Sequence, residues 1–143
     1  MCDTQGKDKP ATRTLNLGSK GEDVAADFMR EQGYRVLERN WRCTSGELDL
    51  VCSHGSDLVF VEVKTRTKSS MGRAGESLPA GQKSRLVRAA SQYLSRNNLW
   101  SKSCRFDLVA LEIRENHVNL EHVSNVIDFG EALGGGHSSW QPW

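Results

Sequence analysis

Leu58-Val59-Phe60-Val61-Glu62-Val63-Lys64 is an apolar, β-branched run with the make-up of a buried strand, yet it carries a carboxylate and an amine. Side chains alternate along a strand, so Glu62 and Lys64 share one face. Burying a charge costs several kcal/mol unless a partner or a metal compensates it. A strand-end ion pair is one explanation, and a metal-dependent active site is the other. Upstream lies a second strand-like run, Gly46-Glu47-Leu48-Asp49-Leu50-Val51-Cys52, joined to the first through Ser53-His54-Gly55-Ser56-Asp57. The joint is rich in turn residues, so the two runs predict a β-hairpin. A two-residue turn at His54-Gly55 or at Gly55-Ser56 pairs residues whose numbers add to an odd value. Either register puts Asp49 on the face of Phe60, Glu62 and Lys64, whereas an odd-length loop without a bulge flips it away.

An Asp, a Glu and a Lys on one face have a chemical use. Two carboxylates supply the hard oxygen ligands that Mg²⁺, or Mn²⁺, accepts, and they leave positions for water and a phosphate oxygen. The lysine can orient the attacking water or neutralise charge building on phosphorus. Acids and bases also meet in structural networks, so the pattern alone leaves both readings open.

The arrangement of charge favours an anionic partner. The chain is close to neutral overall, with 19 Lys+Arg against 18 Asp+Glu. From Lys64 to Arg105, however, ten basic residues meet one acid, Glu76, so the segment carries +9 and the remainder −8. A basic zone that begins at the acidic trio suits a polyanion, and Arg66 lies in it just past Lys64. Within it, Pro79 to Asn97 predicts a helix with Leu86, Ala90, Tyr93 and Leu94 on one side. Arg85, Arg88, Gln92 and Arg96 form a stripe nearly opposite. Gln82 and Lys83 project from the first turn toward the sheet, Lys83 either as a phosphate or site contact or as a lysine snorkelling past the core edge. The first helix, ending at Gly33, offers Glu22. Its spacing from Ser19 is that of a capping box, yet it shares a side with Ala25, Ala26 and Met29 and so faces inward.

Gly18-Ser19-Lys20-Gly21-Glu22, Gly33-Tyr34, Asn40-Trp41-Arg42, Gly46-Glu47-Leu48-Asp49, Val59-Phe60-Val61-Glu62-Val63-Lys64-Thr65-Arg66, Lys83 and Arg105-Phe106-Asp107 together resemble the bacterial YraN family of predicted endonucleases. That family looks like a compact branch of the PD-(D/E)XK nuclease superfamily, similar in site layout to archaeal Holliday junction resolvases. The resemblance implies that Asp49 and Glu62 are metal ligands and Lys64 the catalytic lysine. It also implies that Glu22 completes the metal site and that Gln82 and Lys83 are supporting helix residues. The proline that names the superfamily is absent, since Leu48 precedes Asp49.

At 143 residues the chain suits one domain, expected over residues 15–128, with flexible tails at 1–14 and 130–143. The expected order is helix (18–32), strand (34–39), hairpin strands (47–52 and 58–66), helix (80–97), strand (105–113) and a final strand (118–124), with a mobile loop over 69–77. This gives an α/β, restriction-endonuclease-like fold with a central mixed β-sheet flanked by helices. The four cysteines lack metal-pair spacing, no histidine has a partner at ligand spacing, and no segment suits export or a membrane span. Cys52 and Cys104 read as core residues, and Asp107 as a structural partner of Arg105 or another base. The expectation is a cytoplasmic, Mg²⁺- or Mn²⁺-dependent endonuclease whose partner is nucleic acid, DNA in the first place, branched or structured DNA included. A homodimer is left open. The competing reading is a catalytically inactive nucleic-acid-binding or scaffold protein on a nuclease-like fold.

Overall fold

The structure is a computed structural model and describes residues 11–14, 21–67, 78–115 and 117–128, with the side chains of 11–14, 66 and 67 left aside. Six strands and two helices follow in the order β1 (Ala11–Thr14), α1 (Gly21–Glu31), β2 (Arg35–Cys43), β3 (Gly46–His54), β4 (Asp57–Thr67), α2 (Ala80–Arg96), β5 (Ser103–Arg114) and β6 (His117–Ile127). They build one mixed sheet in the order β1-β6-β5-β4-β3-β2. Only the central β4/β5 pair is parallel, and α2 makes the crossover between those two strands. Apolar clusters cover both sheet faces, one including α1 residues and the other α2 residues, so the chain is α/β with a central mixed sheet flanked by helices.

The double cover explains why β4 reads as a nearly unbroken apolar run. Leu58 and Phe60 pack in a cluster with Leu86, Val87, Ala90, Tyr93 and Leu94 of α2. Val59 and Val61 pack instead with Val24, Ala25, Phe28 and Met29 of α1. Burying one such side chain stabilises the fold by about 1.5–3 kcal/mol. The β3–β4 hairpin turns at Gly55-Ser56, since His54 pairs with Asp57. Gly55 has φ 62 and Ser56 is not at positive φ, the pattern of a type II′ turn, whose first central position favours glycine. The register is one of the two expected, and it carries Asp49 to the α2 face.

Both helices end as their sequences dictate. After α1, Tyr34 N–H donates to Met29 O and Gly33 N–H to Arg30 O at 3.0 Å each, with Gly33 at φ 94. After α2, Leu99 N–H reaches Leu94 O at 2.9 Å and Asn98 takes the left-handed position at φ 55. Both are Schellman closures that satisfy the last carbonyls. At the other end of α1, a Cβ on Gly21 would stand 2.7 Å from Thr65 Oγ1, so the helix start lies against β4 with no room for a larger residue.

The elements depart from expectation mainly at their ends. Residues 11–14, expected in a flexible tail, form β1 and pair with β6 from Ala11↔Leu120 to Thr14↔His117. Backbone pairing with an edge strand supplied what side-chain pattern did not announce. The strand expected over 34–39 continues to Cys43, and the last strand continues to Ile127 past a bulge opposite Phe106 and Leu108. Ser19, the 69–77 loop and residues 1–10 and 130–143 lie outside the described residues. Among those described, no helix is long and apolar enough to cross a membrane.

Candidate active site

The ladder between β3 and β4 runs from His54↔Asp57 to Leu50↔Val61 and stops there. One step further, Asp49 Oδ2 accepts the Val63 backbone N–H at 2.9 Å, replacing the missing strand acceptor with a side chain. Glu62 lies beside it on the α2 face. The two carboxyl groups interact directly, and both are held above the usual carboxylate range. Burial is the main cause for each. For Asp49 the Val63 N–H pulls the other way, while the charge of Glu22 adds to the rise. For Glu62, the Asp49 charge joins burial and pushes the group up to about 8, although Lys64 opposes it. Without a divalent cation the pair therefore holds a proton more tightly than two separate, solvated carboxyl groups would.

Gln82, from the first turn of α2, ties the acid to the base. Its Nε2 donates to Glu62 Oε2 at 2.8 Å, and its Oε1 accepts from Lys64 Nζ at 3.1 Å. The amide places a neutral group between Glu62 and Lys64 and fixes both. Asp49, Glu62 and Gln82 open into a cavity of about 170 Å³ that Glu47 and Arg85 also line. Glu47 was not singled out in the sequence, although it lies two residues from Asp49 and so on the same strand face. Its charge contributes to the raised pKa of both acids, and its own carboxylate lies 3.8 Å from Arg42 Nε.

Glu22 stands at the margin. Asn40 Nδ2 donates to its Oε1 at 3.0 Å, beside an Arg39–Asp23 ion pair that also ties α1 to β2. Its charge is felt at Asp49, but among the described residues no group of three or more His, Cys, Asp or Glu side chains gathers to hold a metal. Of the three acids expected there, Asp49 and Glu62 interact directly, and Glu22 is held by Asn40 while its charge acts on Asp49. Lys83, half-buried, sits next to Gln82, whose amide reaches Glu62. Arg85 reaches the cavity, Arg88 is exposed, and Arg96 lies over the Trp41 ring at 5.4 Å. The side chain of Arg66 is outside the described residues.

A second polar cluster occupies the α1 face. Asp107, fully buried, accepts from Arg105 Nε at 2.9 Å, from His122 Nε2 at 2.8 Å and from the Asn125 backbone N–H at 3.1 Å. Burial works against its charge, but the bonds from His122 and Arg105 outweigh it and hold the carboxyl below its ordinary range. An ionised carboxylate only accepts, so His122 carries its proton on Nε2. Arg105 also donates to Tyr34 Oη at 2.7 Å, and Tyr34 stacks on His54 with centroids 4.1 Å apart. The Arg105–Asp107 pairing follows the expectation. The part played by His122 does not, because its partner is 15 residues away on the neighbouring strand. Cys52 is buried and its thiol is pushed up to about 12, mainly by burial, which suits a core residue.

Residues 21–111 match the pattern of a family described as Uncharacterised protein family UPF0102. A UPF0102 protein of Nitratidesulfovibrio vulgaris is 43% identical over 126 residues, covering 88% of this chain and 94% of its own length. Another, from Lawsonia intracellularis, is 37% identical over 131 residues, covering 92% and 99%. The solved structure of Pyrococcus Furiosus SfsA in complex with Ca²⁺ is a loose likeness, with a TM-score of 0.35 at 12% identity over 73% of this chain and 60% of that one. The family match runs from the start of α1 into β5 and takes in both acids, Lys64 and Gln82, and the chain belongs to the UPF0102 family.

Proposed function

We propose that this protein is a metal-dependent endonuclease hydrolysing phosphodiester bonds in DNA, with branched or otherwise structured DNA as the first substrate class to test. The observation that carries the reading is the meeting of Asp49 and Glu62 on one sheet face with Lys64 held by Gln82. Two half-buried carboxyl groups that face each other beside one lysine leave negative charge that a cation can offset. Mg²⁺ or Mn²⁺ fits that donor set, because such hard ions are commonly held by one or two carboxylates and keep several waters. Asp49 and Glu62 would hold the ion, which when bound would supply Lewis acidity toward a phosphate oxygen.

The chain's own groups do the rest. Val63 N–H fixes the Asp49 carboxylate, and Gln82 fixes Glu62, so neither acid has to reorganise. Lys64 presents an Nζ positioned by Gln82 and stabilises negative charge building on the phosphoryl oxygens. The 17 residues of α2 include Lys83, Arg85, Arg88 and Arg96 and no acid, so the helix offers cations to a phosphate backbone, with Arg85 beside the acid cavity. The resemblance to the YraN and PD-(D/E)XK nucleases, with their restriction-endonuclease-like fold, agrees with this layout.

The test is cleavage of linear, single-stranded, flapped and four-way DNA by purified protein with Mg²⁺ or Mn²⁺, alongside Glu62→Ala and Lys64→Ala. Metal-dependent cleavage lost in Glu62→Ala is the expected result. A folded wild-type protein that binds DNA but is inert on every form with both metals would instead identify a binding or scaffold protein.

A further inference from the structure

Beyond the acid pair, α2 carries a second cavity near its C-terminal end. Ser91, Gln92, Ser95, Arg96 and Trp100 line an open, mostly apolar space of about 340 Å³. Its walls are fixed before any ligand arrives. The Trp100 indole N–H donates to Ser95 Oγ at 2.9 Å, which sets the plane of the ring. Gln92 Nε2 donates to Ser45 Oγ at 2.9 Å and to Thr44 Oγ1 at 3.2 Å, pinning the helix to the β2–β3 turn. Arg96 is held over Trp41.

The lining chooses among ligands. A site for phosphate alone wants several cations and polar walls, whereas this one has a single guanidinium, an indole, an amide and two hydroxyls. Such a set suits a flat, aromatic, hydrogen-bonding group that carries a negative charge close by, which is the chemistry of a nucleotide base with its phosphate. Position adds to the argument. Arg85 lines the acid cavity, and Arg85, Arg88, Gln92 and Arg96 follow one another at three- and four-residue steps, so one basic stripe joins the two cavities. Gln82 and Ser95 are separated along the helix by about 20 Å at ~1.5 Å per residue. A stacked strand covers that distance in about six nucleotides at ~3.4 Å each.

We infer that this cavity is a subsite for an unpaired nucleobase of the DNA, about six stacked nucleotides from the acid pair. The inference rests on the nuclease reading above and sharpens it, because a base is free to enter only where the duplex is interrupted. A substrate with single-stranded nucleotides beside the cut would then be held at two points, and an intact duplex at one.

Binding by wild-type protein is measured in chelator, over a salt series, to an oligothymidylate and to a strand of equal length and charge built of abasic residues. The thymidine strand is expected to bind about 5- to 150-fold more tightly, the range of one base–aromatic stack. Ser91→Leu fills the cavity from the helix side without removing a core atom and should erase that preference while leaving the abasic strand bound as before. Trp100→Phe, which keeps an aromatic ring in place, should reduce the preference in part. Equal binding of both strands with ordinary salt dependence overturns the subsite and leaves the DNA reading standing. Full preference retained in Ser91→Leu also overturns it. A wild-type protein with no salt-dependent binding to either strand sinks the DNA reading and the subsite with it.

Discussion

Val63 donates its backbone N–H to Asp49 Oδ2 at 2.9 Å where β3 and β4 cease to pair, so the carboxylate serves as a strand acceptor and as a candidate ligand at once. The two roles separate by substitution. Asp49→Asn keeps an acceptor for Val63 and removes the charge, whereas Asp49→Ala leaves a partly buried N–H without its partner. Relief of repulsion with Glu62 is common to both variants. Asp49→Ala should therefore be less stable than Asp49→Asn by about 1–3 kcal/mol in urea unfolding, and neither should bind Mg²⁺ as wild type does. Equal stabilities would show that the Val63 bond contributes nothing.

The acid pair predicts a pH slope. The Glu62 carboxyl has an ordinary value of 4.5 and is pushed up to about 8 in the fold, so the folded protein holds the proton more tightly than the unfolded chain does. Stability from this group is complete below about 4.5 and is lost as pH rises toward about 8. Asp107 works in the opposite sense, since its folded value lies below the ordinary 3.8; its contribution is present above that pH and is lost in stronger acid. Metal-free protein should then be most stable on the mildly acid side of neutrality. Thermal melts in chelator between pH 5 and about 8 should show a decline that Glu62→Gln flattens. Saturating Mg²⁺ should flatten it too, by binding the folded state alone. A flat wild-type profile in chelator would mean that Glu62 holds its proton no more tightly in the fold than in the unfolded chain.

Lys64 and Gln82 should differ in what they cost. Lys64→Ala removes a preorganised charge and should slow cleavage by about 10²–10³ at saturating DNA with binding retained. Gln82→Ala leaves the lysine present but unpositioned, so its loss should be smaller and should fall on kcat rather than KM. Circular dichroism must first show both folded, because freeing Glu62 from its partners costs stability. Wild-type kcat in folded Lys64→Ala would remove the lysine from the mechanism.

The basic stripe has a salt signature. Arg85→Ala, Arg88→Ala and Arg96→Ala combined should weaken duplex binding and reduce the slope of log K against log salt by about two to three, at ~0.9 per phosphate contact. An unchanged slope would make the stripe a solvated helix face. Arg96→Ala alone should also lower stability by about 0.5–1 kcal/mol through the lost Trp41 contact.

The cluster around Asp107 should behave as structure. Asp107→Ala takes from Arg105 its buried partner, leaving it Tyr34 and Asp57, removes the acceptor of His122 and Asn125, and should cost about 3–5 kcal/mol. At a temperature where the variant is still folded, cleavage should be close to wild type. A folded variant with cleavage reduced tenfold or more would place this cluster in the chemistry.

Much of this architecture was legible because it depends on local pattern. The parity of a two-residue turn put Asp49, Glu62 and Lys64 on one face, and helical spacing aimed Gln82 at them. Gly33 marked the end of α1 because only a residue tolerant of positive φ closes that turn without strain. What escaped depends on partners far away in sequence. β1 exists through backbone bonds to β6, His122 meets Asp107 across two strands, and Glu22 goes to Asn40 because β2 runs past the first turn of α1. Capping-box spacing and an inward face both fitted Glu22, and only the position of β2 decides what its carboxylate touches.

One helix, α2, carries Gln82 at its first turn and the arginines along its length. A helix of 17 residues is a stiff rod, so a strand gripping its far end also sets how Gln82 presents Glu62 and Lys64. Contacts remote from the cut would be felt as alignment of the reacting groups and not only as affinity. A DNA too short to reach the far end should then lose turnover as well as tightness, while one that spans the helix regains both.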